Sequence, residues 1–70
     1  MIIKKNDVVS IKRDNPTLNL RKGQTGIVWY VYDIGGTAFE ITFKDSDGKD
    51  FDMTMTDDDV EVIKHSDLEA

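Results

Sequence analysis

Seventy residues with a net charge of −5 and no cysteine allow one small domain that must draw its stability from its core, burying about 60% of the surface its unfolded chain exposes. Disulfide frameworks, thiolate nucleophiles and cysteine-based metal centres are excluded. The cysteine-free composition and the start Met1-Ile2-Ile3-Lys4-Lys5-Asn6, which has no long apolar region, predict a cytoplasmic protein with neither a signal peptide nor a membrane span.

The charge is unevenly placed. Positions 1–22 carry Lys4, Lys5, Lys12, Arg13, Arg21 and Lys22 against Asp7 and Asp14, a local +4, whereas the remainder sets three lysines against twelve carboxylates, −9. Nucleic-acid affinity rests largely on cationic neutralisation of phosphate, so this balance disfavours a nucleic-acid partner. An exposed basic protein surface is the better electrostatic match.

The first strand is expected around Val8-Val9-Ser10-Ile11, with Val9 and Ile11 on one face. Turn formers then gather around the single proline, Pro16, and Leu18 and Leu20 are expected to pin this loop to the core. Leu20-Arg21-Lys22-Gly23-Gln24-Thr25-Gly26-Ile27-Val28 places two glycines three apart ahead of an apolar run, the mark of a sharp turn and a close strand crossing. Residues 27–32 are the most β-prone stretch. Being apolar on both faces, they predict a long bent strand serving two parts of a barrel, with a bulge near Trp29.

Gly35-Gly36 suits a tight hairpin. Phe39, Ile41 and Phe43 then alternate with Glu40, Thr42 and Lys44 to give a third strand with three large side chains inside. Phe51, Met53 and Met55 repeat the alternation in a fourth. Thr56-Asp57-Asp58-Asp59 has capping-box spacing and predicts a single helical turn before Val60 and Val62 close the barrel as strand five. The expected fold is all-β, a small five-stranded SH3-like barrel over residues 1–64, with a single helical turn before the last strand and a flexible tail at 65–70.

Asp7-Val8-Val9, the Leu20–Val28 glycine turn, Phe39-Glu40-Ile41-Thr42-Phe43 and Asp45-Ser46-Asp47-Gly48 together resemble an uncharacterised bacterial family of small domains of unknown function. The likeness spans about residues 6–63 and implies an SH3-like fold without an established activity or catalytic residues to carry over. Members are similar in size and context to partners of toxin-like genes, which implies an antitoxin or immunity role. This chain departs from the pattern at Trp29-Tyr30 and in its more acidic Asp57-Asp58-Asp59 turn. The glycine turn is also similar, more weakly, to KOW-type ribosomal and transcription-factor modules and to small SH3-like subunits of photosynthetic electron-transfer complexes.

Asp45, Asp47 and Asp50 invite a calcium reading, but Gly48 is fourth in that run where an EF-hand loop needs its glycine sixth, so a hairpin turn is expected instead. His65, the single histidine, lies in the expected tail with no serine–aspartate set or cysteine to work with. No catalytic residue, metal or cofactor is therefore expected. Trp29, Tyr30 and Tyr32 are of the types found at binding hot spots, and strict alternation would place Trp29 opposite the two tyrosines unless a bulge intervenes.

The expected function is a non-enzymatic protein-binding module, antitoxin- or immunity-like, monomeric or weakly dimeric. Its candidate partner-binding residues are Arg21, Lys22 and Gln24 on the glycine turn, Trp29, Tyr30 and Tyr32 on strand two, and Asp57, Asp58 and Asp59. Two alternatives are a KOW-like nucleic-acid or ribosome-associated module using the N-terminal basic residues, and an acidic inhibitor that mimics nucleic acid.

Overall fold

A computed structural model describes residues 2–44 and 47–66. Strands β1 (Val8–Ile11), β2 (Thr25–Val31), β3 (Ala38–Lys44), β4 (Asp50–Thr56) and β5 (Val60–Lys64) form one antiparallel sheet in the order β4-β3-β2-β1-β5. Four strands meander and the fifth returns to the free edge of the first, the strand order of an SH3-like barrel.

The alternation in β3 places Phe39, Ile41 and Phe43 inside, all fully buried. They join Val9 and Ile11 of β1, Val28 of β2, Met55 of β4 and Val60 of β5 in one cluster that Ile3 and Leu20 complete. β4 and β5 are opposite edges of the sheet, about 19 Å apart were it flat. Met55 and Val60 nevertheless share a core, so the sheet rolls around it. The short connection between these edges secures the roll: the Asp57 amide donates to the Thr37 carbonyl at 3.1 Å, and the Asp59 carbonyl accepts from the Lys12 amide at 3.0 Å.

The two glycines of the β1–β2 turn serve different ends. Gly23 has φ +88° with open space around it, so the backbone angle itself calls for glycine. Gly26 is buried in β2, where a Cβ would lie 2.6 Å from Ile41 Cγ2 and 2.7 Å from the Phe43 ring. Here the missing side chain is the space that β3's core residues fill.

Several local expectations need correction. Residues 57–59 form a hydrogen-bonded turn, with the Asp59 amide donating to the Thr56 carbonyl at 3.0 Å, and not a helical turn. Val60 pairs with Ile11 immediately afterwards, which leaves the chain no length to continue a helix. The 3-10 helix lies instead at Pro16–Leu18, where the Asn15 side chain accepts from the Leu18 amide at 3.2 Å. Leu20 is buried but Leu18, on that helical turn, is exposed. Gly35-Gly36 belongs to a longer connection, since the Tyr32 amide pairs with the Ala38 carbonyl across residues 33–37 and Gly36 alone of the two takes positive φ. In β2, Gly26 and Val28 are buried, while Ile27, Trp29 and Tyr30 face outward, where the single sheet has no second layer to cover them.

The chain continues past the expected boundary at residue 64 with His65 and Ser66 held against Asp7, and residues 67–70 lie outside the described residues. Among the described residues, no helix is long and apolar enough to cross a membrane.

Candidate functional site

The β2–β3 register supplies the main feature of the surface. Val28 is opposite Ile41 and Tyr30 opposite Glu40, so β2 spends an extra residue, Trp29, where β3 spends none. Such a bulge resets the alternation of side chains. Trp29 and Tyr30 are consecutive, yet both are exposed, by 43% and 49%, and Tyr32 by 55%. Their rings form a chain: the Trp29 and Tyr30 centroids are 6.0 Å apart, and those of Tyr30 and Tyr32 are 5.0 Å apart in an edge-to-face arrangement. The bulge anticipated from the sequence thus gathers three aromatics that strict alternation would have separated.

Glu40 sits within this row. It is half-buried, pairs across the strands with Tyr30 on one side and Thr54 on the other, and accepts a hydrogen bond from the Thr54 hydroxyl. Partial desolvation pushes the Tyr32 phenol pKa up, and the adjacent Glu40 charge adds to the rise. At the following turn the Asp33 carboxyl is held below its ordinary pKa by hydrogen bonds from the Thr37 hydroxyl and from the Ala38 and Thr37 amides. By alternation alone Glu40 is a solvent-facing position of β3 like Thr42 and Lys44. Its opposition to Tyr30 depends on the bulge, which residue alternation alone does not locate.

A second row of the same face runs Val8, Ile27, Thr42 and Asp52 across four strands. The Thr42 hydroxyl donates to Asp52 at 2.7 Å. An open groove of about 570 Å³ lies over this region, flanked by Gln24 and by the Lys44–Asp50 ion pair at 2.8 Å. Of the carboxylates weighed for calcium, Asp50 is engaged in that pair and Asp45 lies outside the described residues. Among the described residues no group of three or more histidine, cysteine or acidic side chains converges as a metal site would require.

The other candidates occupy two further places. On the glycine turn, the Gln24 side chain accepts from the Arg21 amide at 3.2 Å and donates to the Lys44 carbonyl at 3.3 Å, while the Lys22 amide donates to Asp14 at 2.8 Å. Gln24 is therefore a brace between the turn and β3, and Arg21 and Lys22 extend from a backbone it holds. In the acidic turn, the Asp59 carboxylate folds back onto the Thr56 amide and hydroxyl at 3.2 and 3.0 Å, leaving Asp57 and Asp58 exposed. Arg13 Nη2 donates to the Asp58 carbonyl at 3.0 Å. The basic N-terminal segment and the acidic C-terminal one, separate in sequence, thus meet beside β1.

Asp7, at the entrance to β1, has no local signature that sets it apart from a turn-forming aspartate. It is fully buried. Its carboxylate accepts from the Lys4 amide at 2.9 Å and the Ser66 amide at 2.6 Å, and lies 3.1 Å from His65 Nδ1. Burial pushes its pKa up, but the Ser66 and Lys4 amides, with His65, outweigh that effect and hold it below the ordinary carboxylate value. The group ties the two ends of the described chain together and presents no surface to a ligand.

Residues 5–62 match the family model described as "Domain of unknown function (DUF4926)". No curated protein and no solved structure matches the chain.

Proposed function

We propose that this chain, which belongs to the DUF4926 family of domains of unknown function, is a non-enzymatic protein-binding module of the cytoplasm that meets its partner through the outer face of β2 and β3. In its most concrete form it is an antitoxin or immunity-type protein that occludes the surface it covers. The observation that supports this reading is the bulge at Trp29, which gathers Trp29, Tyr30 and Tyr32 on one exposed face. Tryptophan and tyrosine supply large, rigid contact area with a polar tip, the properties of interface anchors. The engagement of Arg13 by the acidic turn works against a continuous basic strip for tracking phosphates.

The test is affinity capture from the native cell with immobilised wild type, a Trp29→Ala/Tyr30→Ala double variant and an Asp58→Lys variant, followed by mass spectrometry. A protein retained by wild type and by Asp58→Lys but lost on the aromatic variant is the expected result. Equal capture by all three would overturn the assignment of the face, and recovery of nucleic acid in place of protein would overturn the function.

A further inference from the structure

The aromatic row is built around a negative charge. Glu40 is half-buried among Tyr30, Tyr32 and Thr54, with the Thr54 and Tyr32 hydroxyls engaged on its carboxylate, but among the described residues no lysine or arginine lies within 4.0 Å of it. The carboxylates of Asp7 and Asp50, by comparison, each face a basic side chain of this chain. An ionised carboxylate removed in part from water is costly unless a counter-charge or enough donors meet it. Beside it, three aromatic rings leave roughly half their surface open, and the faces of such rings carry the negative end of a quadrupole. Charge and quadrupole therefore favour the same kind of visitor, a cation with a flat, weakly hydrated surface. Guanidinium meets that description better than ammonium, because it stacks on aromatic faces and presents paired N–H donors to a carboxylate.

We infer that Trp29, Tyr30, Tyr32 and Glu40 form a receptor for an arginine side chain carried by the protein partner. The inference rests on the protein-binding reading above and names the chemistry that the partner must present. In the bound state the guanidinium donates to the Glu40 carboxylate and lies against the exposed tyrosine and tryptophan rings. Thr54 is a positioning residue: its hydroxyl fixes the Glu40 carboxylate from the β4 side.

Trp29 is the single tryptophan of the chain, so its fluorescence reports on the receptor directly. Acetyl-Gly-Arg-Gly-amide, the lysine analogue and the neutral citrulline analogue are titrated against the full chain, with amide and indole NMR shifts recorded in parallel. The expected result is a saturable change at Trp29, Tyr30, Tyr32 and Glu40 with the arginine peptide, and about tenfold weaker binding with citrulline, which keeps the shape and loses the charge. Lysine should fall between them. Glu40→Gln preserves an acceptor for Thr54 and should weaken arginine binding by about fivefold or more. A thermal melt of that variant confirms that the barrel is intact.

Equal binding of arginine and citrulline peptides, shifts confined to another face, or undiminished arginine binding by folded Glu40→Gln would each overturn the inference. Its failure is separable from failure of the function. If the Trp29→Ala/Tyr30→Ala variant loses the captured partner while the arginine peptide does not bind, the face stands and the arginine receptor falls. If the peptide binds as described but the variant keeps the partner, the site takes arginine but not the partner's, and both the inference and the proposed interface fall.

Discussion

β3 divides two surfaces that differ in almost every respect. On one side Phe39, Ile41 and Phe43 meet the other strands in a sealed core, and on the other Glu40 and Thr42 stand opposite Tyr30, Ile27, Thr54 and Asp52 on the uncovered face. Both surfaces are made by the same hydrogen-bonded ladder. The inner one is crowded enough that Gly26 has no room for a methyl group, whereas the outer one leaves aromatic rings half uncovered. In a one-layer barrel the inner face must satisfy packing and the outer face is free to carry recognition. Large apolar residues outside are therefore informative in a way that those inside are not.

Substitutions should break the two faces by different measures. Phe43→Ala removes a fully buried ring and should cost about 3 to 5 kcal/mol, enough to leave the domain largely unfolded, as a urea titration would report. Gly26→Ala tests the same face from the opposite direction, by crowding. A Cβ 2.6 Å from Ile41 Cγ2 must displace side chains that are themselves buried, for a loss of about 1 to 3 kcal/mol in the same assay.

Asp7→Asn probes the sealed region by charge. An amide cannot accept at both ends as the carboxylate does from Lys4 and Ser66, so the variant should lose about 1 to 3 kcal/mol at neutral pH. Because the folded-state pKa of Asp7 is lowered, its contribution is present above the unfolded carboxyl pKa and is lost as pH falls through the folded one. The gap between wild type and Asp7→Asn should therefore be full at pH 7 and shrink below about pH 4, which denaturation midpoints across that range would measure.

The outer face should respond least in stability and most in binding. Tyr30→Ala and Trp29→Ala should shift the folding free energy by no more than about 1 kcal/mol, since neither ring is part of the core cluster. Surface plasmon resonance with the captured partner should show faster dissociation for both. Unfolding on the scale of Phe43→Ala would instead make the aromatic row a structural element and remove the distinction between the faces. The smallest effect is expected for Arg13→Ala. Its exposed contact with the Asp58 carbonyl is worth no more than about 0.5 kcal/mol in a denaturation assay.

The parts legible in the sequence were those governed by neighbours in the chain. A period of two in Phe39-Glu40-Ile41-Thr42-Phe43 reports which side of β3 is buried, and the 3-10 turn at Pro16–Leu18 escaped because only its cap and proline mark so short an element. The aromatic trio could be named as a candidate. Its common orientation could not be derived, because it depends on where β3 aligns against β2, and the same uncertainty concealed Glu40 beside Tyr30. Arg13 and Asp58 are 45 residues apart, so the hydrogen bond that ties Arg13 to the acidic turn had no trace in charge counted along the chain.

From the sequence alone, the all-β class, the buried alternation of β3 and the turn glycines followed, because backbone sterics and the two-residue repeat of a strand act within a few residues. Only the tertiary structure decided that Gly26 is a packing glycine, that Asp7 joins the two ends of the described chain, and that Trp29, Tyr30 and Tyr32 form one exposed row with Glu40 beside the tyrosines. Those outcomes depend on the register between strands and on the rolling of the sheet. Both are set by how all five strands fill a single core, a condition that no short stretch of chain contains.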